Sequence, residues 1–359
     1  MNKMIKELVP ELVYEDLCSV ADRDLPWDKL DGKQILITGA NGFIGYYLVM
    51  TCLFRNDLYH SRIQVIGLVR NRKHAESKYG QILDREDFCL CVQDVCDEIA
   101  MEHVDYVIHA ASQASARYFA EDPVGTMNAN LLGTRSVLEL ARRCWATVLL
   151  ISSLKVYGSF ADSSKDAICE EEMGYLDPVS FRNCYAMGKR AAETLGASYS
   201  AQYGVSVKIV RPSYIYGPTI MTDDRVWAQF MVNVLRRENI VLKSSGAVIR
   251  SYCYVADTAA AIFTVLLKGK EMYPYNISSR ESSISIRNLA RAALAAFPER
   301  NLGLTFANLA DESELDPAAS PREILDNARL VELGWDARVS PVEGMRRGVM
   351  IMEQQSPLL

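Results

Sequence analysis

The stretch Gln34–Gly45, QILITGANGFIG, decides how the rest of the chain is read. Its first half, QILITGA from Gln34 to Ala40, is a compact apolar run of the kind that forms a strand buried on both faces. Its second half, TGANGFIG, sets Gly39, Gly42 and Gly45 where that strand gives way to a helical stretch from about Gly42 to Phe54. The three glycines have distinct uses. One allows a tight turn, one lets backbone N–H groups approach a pyrophosphate, and one lets the helix pack closely on the strand. The N-terminus of the helix adds a partial positive charge where phosphates would sit. With a strand before it and a helix after it, the loop reads as a dinucleotide site.

Outward from this loop, short apolar strands alternate with amphipathic helices. RIQVIGLV, FCLCVQDV, VDYVIHAA and ATVLLISS read as strands, and NLLGTRSVLELARRC has helical spacing with Val137, Leu138 and Ala141 on one face. Strands of this type need right-handed helical crossovers, so the expected class is α/β, a Rossmann-type doubly wound parallel sheet. A smaller, discontinuous α/β lobe follows it. Residues 1–32 read as an N-terminal leader of one or two short helices, a clasp over the body, and 33–211 mainly as the Rossmann domain. Within that span, 159–183 is a polar, acidic insertion, followed by a helix from Tyr185 to about Tyr203 and the strand VKIVRPS. Residues 212–359 make up most of the second lobe, with 250–275 returning to the first domain and helices and loops expected from about Arg280.

The gross numbers agree with this division. A chain of 359 residues suits roughly two domains, and 49% hydrophobic and 9% aromatic residues suit a sizeable core. A net charge of -6 with no basic tract gives no electrostatic reason to expect nucleic acid. The cysteines at 18, 52, 89, 91, 96, 144, 169, 184 and 253 are scattered, without CxxC pairs or histidine spacing, so neither a disulfide framework nor a metal site is expected. The beginning, MNKMIKELVPELVYEDL, lacks the apolar core of a signal peptide, and no run reaches the ~18 apolar residues that cross a bilayer. The expectation is a reduced, cytoplasmic protein with no membrane partner.

Two further stretches carry chemistry. In NCYAMGKR, Tyr185 and Lys189 stand four apart, which puts both on one helix face. A free phenol has a pKa of about 10, too high for a base at neutral pH, but a neighbouring ammonium favours the phenolate. Tyr185 could then take or give a hydroxyl proton. In ISSLKVYG, Ile151 to Gly158, the hydroxyl of Ser153 could hold the same substrate oxygen.

In order along the chain stand TGANGFIG, HAAS from His109, NLLGT from Asn130, SSLKVYG and YAMGK. Together they resemble the short-chain dehydrogenase/reductase superfamily, and more narrowly its extended branch of NAD(P)-dependent sugar-nucleotide epimerases and dehydratases. RPSYIYGP (Arg211–Pro218), RSYCYVAD (Arg250–Asp257), YNISS around Asn276 and LDNARLVELGW near Trp335 extend the resemblance from about Lys33 to the C-terminus. The resemblance implies a smaller lobe that binds a nucleotide-diphosphate sugar. It implies Tyr185 as acid/base, Lys189 at the nicotinamide ribose and Ser153 completing the triad. Cofactor contacts are implied at Gly39, Asn41, Gly42, Phe43, Ile44, Gly45, Arg70, Ala110, Ala111, Asn130 and Ser152, with Asp94 and Val95 flanking the adenine. Substrate contacts are implied at Ser112, Lys155, Tyr214 and Arg250, the arginine against the pyrophosphate. His109 reads as a structural histidine at a strand end. By analogy with the family, two copies pair through helices as a homodimer. Tyr214 departs from the Asn that many members carry, and the leader before Lys33 is longer than usual.

The favoured activity is epimerisation at a sugar hydroxyl carbon, C4 for preference, by removal and return of hydride. Competing readings are a one-way NADPH-dependent ketone reductase, a 4,6-dehydratase or decarboxylase, and a cofactor-binding regulator without turnover, which the intact Ser153, Tyr185 and Lys189 oppose. Many dehydratases of the family place Asp-Glu directly after the Ser/Thr, some place Asp-Lys, and a decarboxylase would ask for Glu at 155. Here the residues are Leu154 and Lys155, which weakens both readings. RIQVIGLV ends at Val69 and is followed by Arg70, where NAD-preferring members often place an acid, so NADP is favoured over NAD.

Overall fold

The computed structural model describes residues 3–160, 166–307 and 322–355, so positions 161–165 of the expected insertion lie outside the described residues. By compactness the chain divides into two units. The first comprises 1–160, 173–212 and 259–275, and the second 161–172, 213–258 and 276–359.

The first unit begins with α1 (Ile5–Leu8) and α2 (Glu11–Ala21). Then come β1 (Gln34–Thr38), α3 (Phe43–Tyr59), β2 (Gln64–Val69), α4 (Arg72–Tyr79), β3 (Phe88–Val92), β4 (Tyr106–His109), α5 (Ala116–Glu121), α6 (Pro123–Cys144), β5 (Thr147–Ile151), α7 (Cys184–Tyr203) and β6 (Val207–Pro212). Farther along the chain lie β7 (Tyr214–Tyr216), α8 (Val226–Leu235), β8 (Ile240–Leu242), β9 (Ile249–Tyr254), α9 (Val255–Lys268) and β10 (Pro274–Ile277). The last elements are β11 (Ser283–Ser285), α10 (Ile286–Ala295), β12 (Leu304–Phe306), β13 (Arg322–Glu323), α11 (Ala328–Glu332) and α12 (Pro341–Gln355).

The main sheet has seven strands in the order β10-β6-β5-β4-β1-β2-β3. β1 pairs in parallel with both β2 and β4, and β4–β5, β5–β6 and β2–β3 are parallel as well. The order reverses between β1 and β4, and in a doubly wound sheet ligands bind beyond the strand ends at such a reversal. There Thr38 pairs in register with His109. The strands are apolar without alternation because both faces are covered; Ile35, Leu36 and Ile37 are all fully buried.

The leader is part of this unit's core. Leu12, Val13, Leu17 and Val20 repeat at helical spacing along α2 and are buried, and α2 packs on α3. Polar ties fix it in place. The Tyr47 hydroxyl donates to Asp16 at 3.0 Å, and Arg55 donates to the Ala21 carbonyl at 3.0 Å while its guanidinium lies 4.4 Å over the Trp27 ring. Asp57 accepts the Ile5 N–H at 2.7 Å and pairs with Arg85 at 2.8 Å.

In the second unit, β9 is the hub: β11 joins it antiparallel, β7 and β13 parallel. That pairing explains where the return falls. The reading of the sequence placed 250–275 back with the first domain, but β9 stays with its partner strands and the first unit regains the chain only at Ala259. Asp257 closes the second unit's last turn by accepting the N–H groups of Arg338 and Val339 at 3.0 and 2.9 Å. The tail adds short strands to the helices and loops expected there, and β12 pairs in parallel with β8.

Leu17 is fully buried in the leader. Leu17→Ala is expected to cost about 2–5 kcal/mol of stability, the usual range for a deleted core side chain. Denaturant unfolding measures it, and an unchanged midpoint would show that the leader does not contribute to the fold.

Candidate active site

The phosphate loop is built so that side chains cannot enter it. Gly39 has φ +65, and a Cβ there would stand 2.9 Å from backbone atoms of Ala111. At Gly45 a Cβ would lie 2.3 Å from the Gly39 carbonyl oxygen. Gly42 precedes α3 and gives it no side-chain cap, which leaves the helix's N-terminal end suited to an anion. These features fit a dinucleotide pyrophosphate, with Asn41, Phe43 and Ile44 completing the loop. Behind it, Thr38 Oγ1 meets His109 Nδ1 at 2.9 Å and accepts the Ala111 N–H at 3.1 Å. His109 is fully enclosed, and burial, helped by the Lys189 charge, pushes its pKa down to about 3. It is therefore a neutral, structural ring at neutral pH.

The floor lies at the end of β5. Ser153, two residues past the strand, accepts the Lys155 N–H at 3.2 Å on its Oγ, starting a tight turn over Leu154–Tyr157. α7 grips this turn with three side chains of one face. Lys189 Nζ donates to the Ile151 carbonyl at 2.7 Å, and Arg190 donates to the Val156 carbonyl at 2.6 Å and the Gly174 carbonyl at 2.8 Å. Glu193 accepts the Ser152 hydroxyl at 2.5 Å. Its carboxylate is also held by Arg211 at the end of β6, at 2.6 and 3.0 Å, and Arg211 donates to the Tyr157 hydroxyl at 3.1 Å. Both members of this pair are nearly out of solvent. Ser152 is thus committed to Glu193.

Tyr185 and Lys189 lie buried on the same helix. The Tyr185 ring stacks on Phe119 of α5 with centroids 4.8 Å apart, and the neighbouring Ser153 side chain favours the ionised form of its hydroxyl. Burial pushes the phenol's pKa up; the Ser153 side chain and the Lys155 charge pull the other way. Burial also pushes Lys189 down to about 8, partly offset by Glu193. The structure therefore brings Ser153, Lys155, Tyr185 and Lys189 together. Asn130 is nearby inside α6, accepting from Ser112 Oγ at 3.0 Å and donating to the Thr126 carbonyl at 2.8 Å. Ala110 and Ala111 follow β4, and Arg70 stands exposed just past β2. Asp94 accepts the Cys96 N–H at 2.9 Å, and Val95 is buried against Gly133.

Tyr214 and Arg250 belong to the second unit. The Tyr214 hydroxyl donates to Glu323 at 2.5 Å, Arg250 Nε donates to the same oxygen at 3.0 Å, and the guanidinium lies 4.5 Å over the Tyr214 ring. Glu193 and Glu323 carry no role in the sequence reading. Glu193 had a signal, since it falls four residues after Lys189 on the same helix face. Glu323 had none, because 109 residues separate it from Tyr214. Among the described residues no group of three or more His, Cys, Asp or Glu could hold a metal ion, and no helix is long and apolar enough to cross a membrane.

Glu193→Ala removes the carboxylate that neutralises the buried Arg211 charge, and about 3–5 kcal/mol of stability is expected to go with it, measured by denaturant unfolding. A loss well under that would mean that Arg211 finds water. Lys189 predicts a pH dependence. It releases its proton near pH 8 when folded but only near its ordinary 10.5 when unfolded. In that window the unfolded chain binds more protons, so stability rises with pH. Lys189→Met should remove its share of that rise and leave the share of Lys78, which burial also pushes down to about 8.

The model of the NAD dependent epimerase/dehydratase family matches residues 35–278. The chain is 30% identical over 322 residues to UDP-glucuronic acid decarboxylase 6 of Arabidopsis thaliana, covering 89% of this chain and 88% of that protein. It is likewise 30% identical to UDP-glucuronic acid decarboxylase 1 of Xenopus tropicalis, over 89% of this chain and 72% of that one. Among solved structures, an epimerase from Methanothermobacter thermautotrophicus matches with TM-score 0.76 at 19% identity, covering 97% of each chain. UDP-glucose 4-epimerase from Thermotoga maritima matches with TM-score 0.71 at 22% identity, covering 91% of this chain and 100% of that one. At such identities the structures establish the shared fold, and the family match and the sequence relatives establish membership: the chain is an enzyme of the NAD dependent epimerase/dehydratase family.

Proposed function

We propose that this enzyme oxidises a hydroxyl carbon, C4 for preference, of a nucleotide-diphosphate sugar and returns the hydride to the opposite face, as an epimerase. The observation that carries this reading is the Ser153-Leu154-Lys155 sequence beside Tyr185. A bound nicotinamide dinucleotide supplies the hydride acceptor and donor. The chain's own groups handle the proton: Tyr185 Oη, beside the Ser153 side chain, takes it from the sugar hydroxyl and gives it back. Lys189, held on the Ile151 carbonyl, is assigned to the nicotinamide ribose, and Ser153 Oγ to the reacting oxygen. Arg250 and Tyr214 are assigned to the diphosphate, for which Glu323 is the present competitor.

Loss of water from the oxidised sugar asks for a further acid/base pair, and loss of carbon dioxide leaves an enolate that an acid must protonate. Leu154 has no proton to move, and Glu193, the carboxylate that reaches this strand end, is engaged by Arg211 and Ser152. Lys155 is cationic and half-buried. A second reading, decarboxylation of UDP-glucuronic acid, is favoured by the names of the sequence relatives, and in it Lys155 would hold the sugar carboxylate. For the cofactor, Arg70 in the place of an acid favours NADP over NAD.

Incubation with UDP-glucose, UDP-glucuronic acid and other nucleotide hexoses, with NAD or NADP, separates these readings by product mass. Epimerisation leaves the mass unchanged. A product lighter by carbon dioxide would establish the second reading, and one lighter by water would overturn both; with NADPH and a 4-keto nucleotide sugar supplied instead, a product heavier by two hydrogens would show net reduction. Tyr185→Phe is expected to keep fold and cofactor binding and lose roughly 10²–10⁴-fold in turnover. Turnover close to wild type in that variant would remove Tyr185 from the chemistry.

A further inference from the structure

Helix α4 lies against the phosphate loop and holds it by its carbonyls. Tyr79 Oη donates to the Ala40 carbonyl at 2.8 Å, and Lys78 Nζ donates to the Asn41 carbonyl at 3.1 Å and the Gly42 carbonyl at 3.4 Å. Two adjacent residues of one helix thus bond three consecutive carbonyls of the loop. One turn earlier, His74 Nδ1 lies 3.4 Å from Asn41 Nδ2. Among the described residues Lys78 pairs with no carboxylate; its ammonium has these two carbonyls and the Tyr46 ring, 4.8 Å away.

α4 can hold the loop because it is itself fixed. Asn71 caps its first turn by accepting the His74 N–H at 3.0 Å, Ala75 is fully buried, and the buried Tyr79 ring packs on Phe88 of β3 with centroids 4.9 Å apart. Just past the helix, Arg85 pairs with Asp57 and Asp87, each at 2.8 Å, and donates to the Lys3 carbonyl at 3.0 Å. The leader therefore braces the chain that carries α4 back to the sheet. The consequence for the loop is directional. Its peptide bonds are trans, so each N–H points opposite the carbonyl of its own peptide unit. With the Ala40 and Gly42 carbonyls drawn to α4, the N–H groups of Asn41 and Phe43 face the other way. The Gly42 N–H is taken by the Gly39 carbonyl at 2.8 Å. A loop with three glycines would otherwise sample many backbone states, and ordering it on binding would cost affinity.

We propose that Lys78 and Tyr79 are positioning residues for the dinucleotide: by holding the loop's carbonyls, they set its N–H groups to receive the pyrophosphate before the cofactor arrives. The proposal rests on the dinucleotide reading of the loop. It concerns the part common to NAD and NADP, so it is independent of the choice between them and of the sugar chemistry.

The test combines binding with loop exchange. The full chain, freed of bound nucleotide, is titrated with NAD and with NADP by calorimetry as wild type, Tyr79→Phe and Lys78→Met, with thermal unfolding to check that each variant is folded. Amide hydrogen exchange over residues 40–43 is followed with and without NAD. Tyr79→Phe removes a hydroxyl and no charge. Each variant should lose affinity for both cofactors by the same factor, about threefold or more for Tyr79→Phe and about tenfold for Lys78→Met, the weight of one neutral and one charged hydrogen bond. Without NAD the loop amides should exchange faster than in wild type, and saturating NAD should remove the difference. Wild-type affinities in both variants would overturn the proposal. Loss confined to Lys78→Met would also overturn it, because the ammonium's charge and not the hold on the carbonyls would then be the cause. So would lost affinity in both variants with loop exchange unchanged. Failure of the wild type to bind either cofactor would remove the dinucleotide reading, and the proposal with it.

Discussion

The ion pair between Glu193 and Arg211 ties three chain segments into one rigid frame. Glu193 comes from α7, Arg211 from the end of β6, and through Ser152 and Tyr157 the pair also holds the end of β5 and the turn that follows it. Removing two charges from water is costly unless they are paired and their remaining hydrogen-bonding capacity is met. Here both oxygens of Glu193 are engaged, and Arg211 uses three nitrogens. The arrangement tolerates little movement. With Arg190 on the turn's carbonyls and Lys189 on Ile151, α7 sets the height and orientation of the floor on which Ser153 stands.

This frame explains why reactive groups can be buried beside it. Tyr185 and Lys189 are both in surroundings that disfavour their charged forms. Left to burial alone, the phenol would resist ionisation. The neighbouring Ser153 side chain and the Lys155 charge act against that tendency, so this lysine contributes to the field at the phenol. In the proposed epimerase reading, Lys155 sets a cation beside the phenol where an elimination would ask for an acid.

Much of this was legible in the sequence. Gln34–Gly45 specifies strand, loop and helix through local rules, apolar run, glycine spacing and an uncapped helix start, and the parallel order of the sheet follows from the alternation of strands and helices. Tyr185 and Lys189 are four apart, and that local spacing fixes their common face. What stayed hidden depends on contacts between distant segments. The leader shows its apolar stripe in Leu12, Val13, Leu17 and Val20, but nothing local says that the stripe lies on α3. β9 looks like chain returning to the first domain until its pairing with β7, β11 and β13 is seen. Arg250 reads as an open phosphate ligand, whereas Glu323, 73 residues away, is already bonded to it.

The central claim is that this site moves hydride and hydroxyl protons and leaves every other C–H bond of the sugar intact. Turnover in D₂O tests it most directly. The nucleotide sugar that reacts is incubated with enzyme and cofactor, back-exchanged into H₂O, and examined by mass and proton spectra. Hydride transfer alone predicts a product with no carbon-bound deuterium. Deuterium on a ring carbon would contradict the account, because it requires a carbanion protonated by solvent, as dehydration and decarboxylation do, and would mean that Lys155 or another group supplies the missing acid/base.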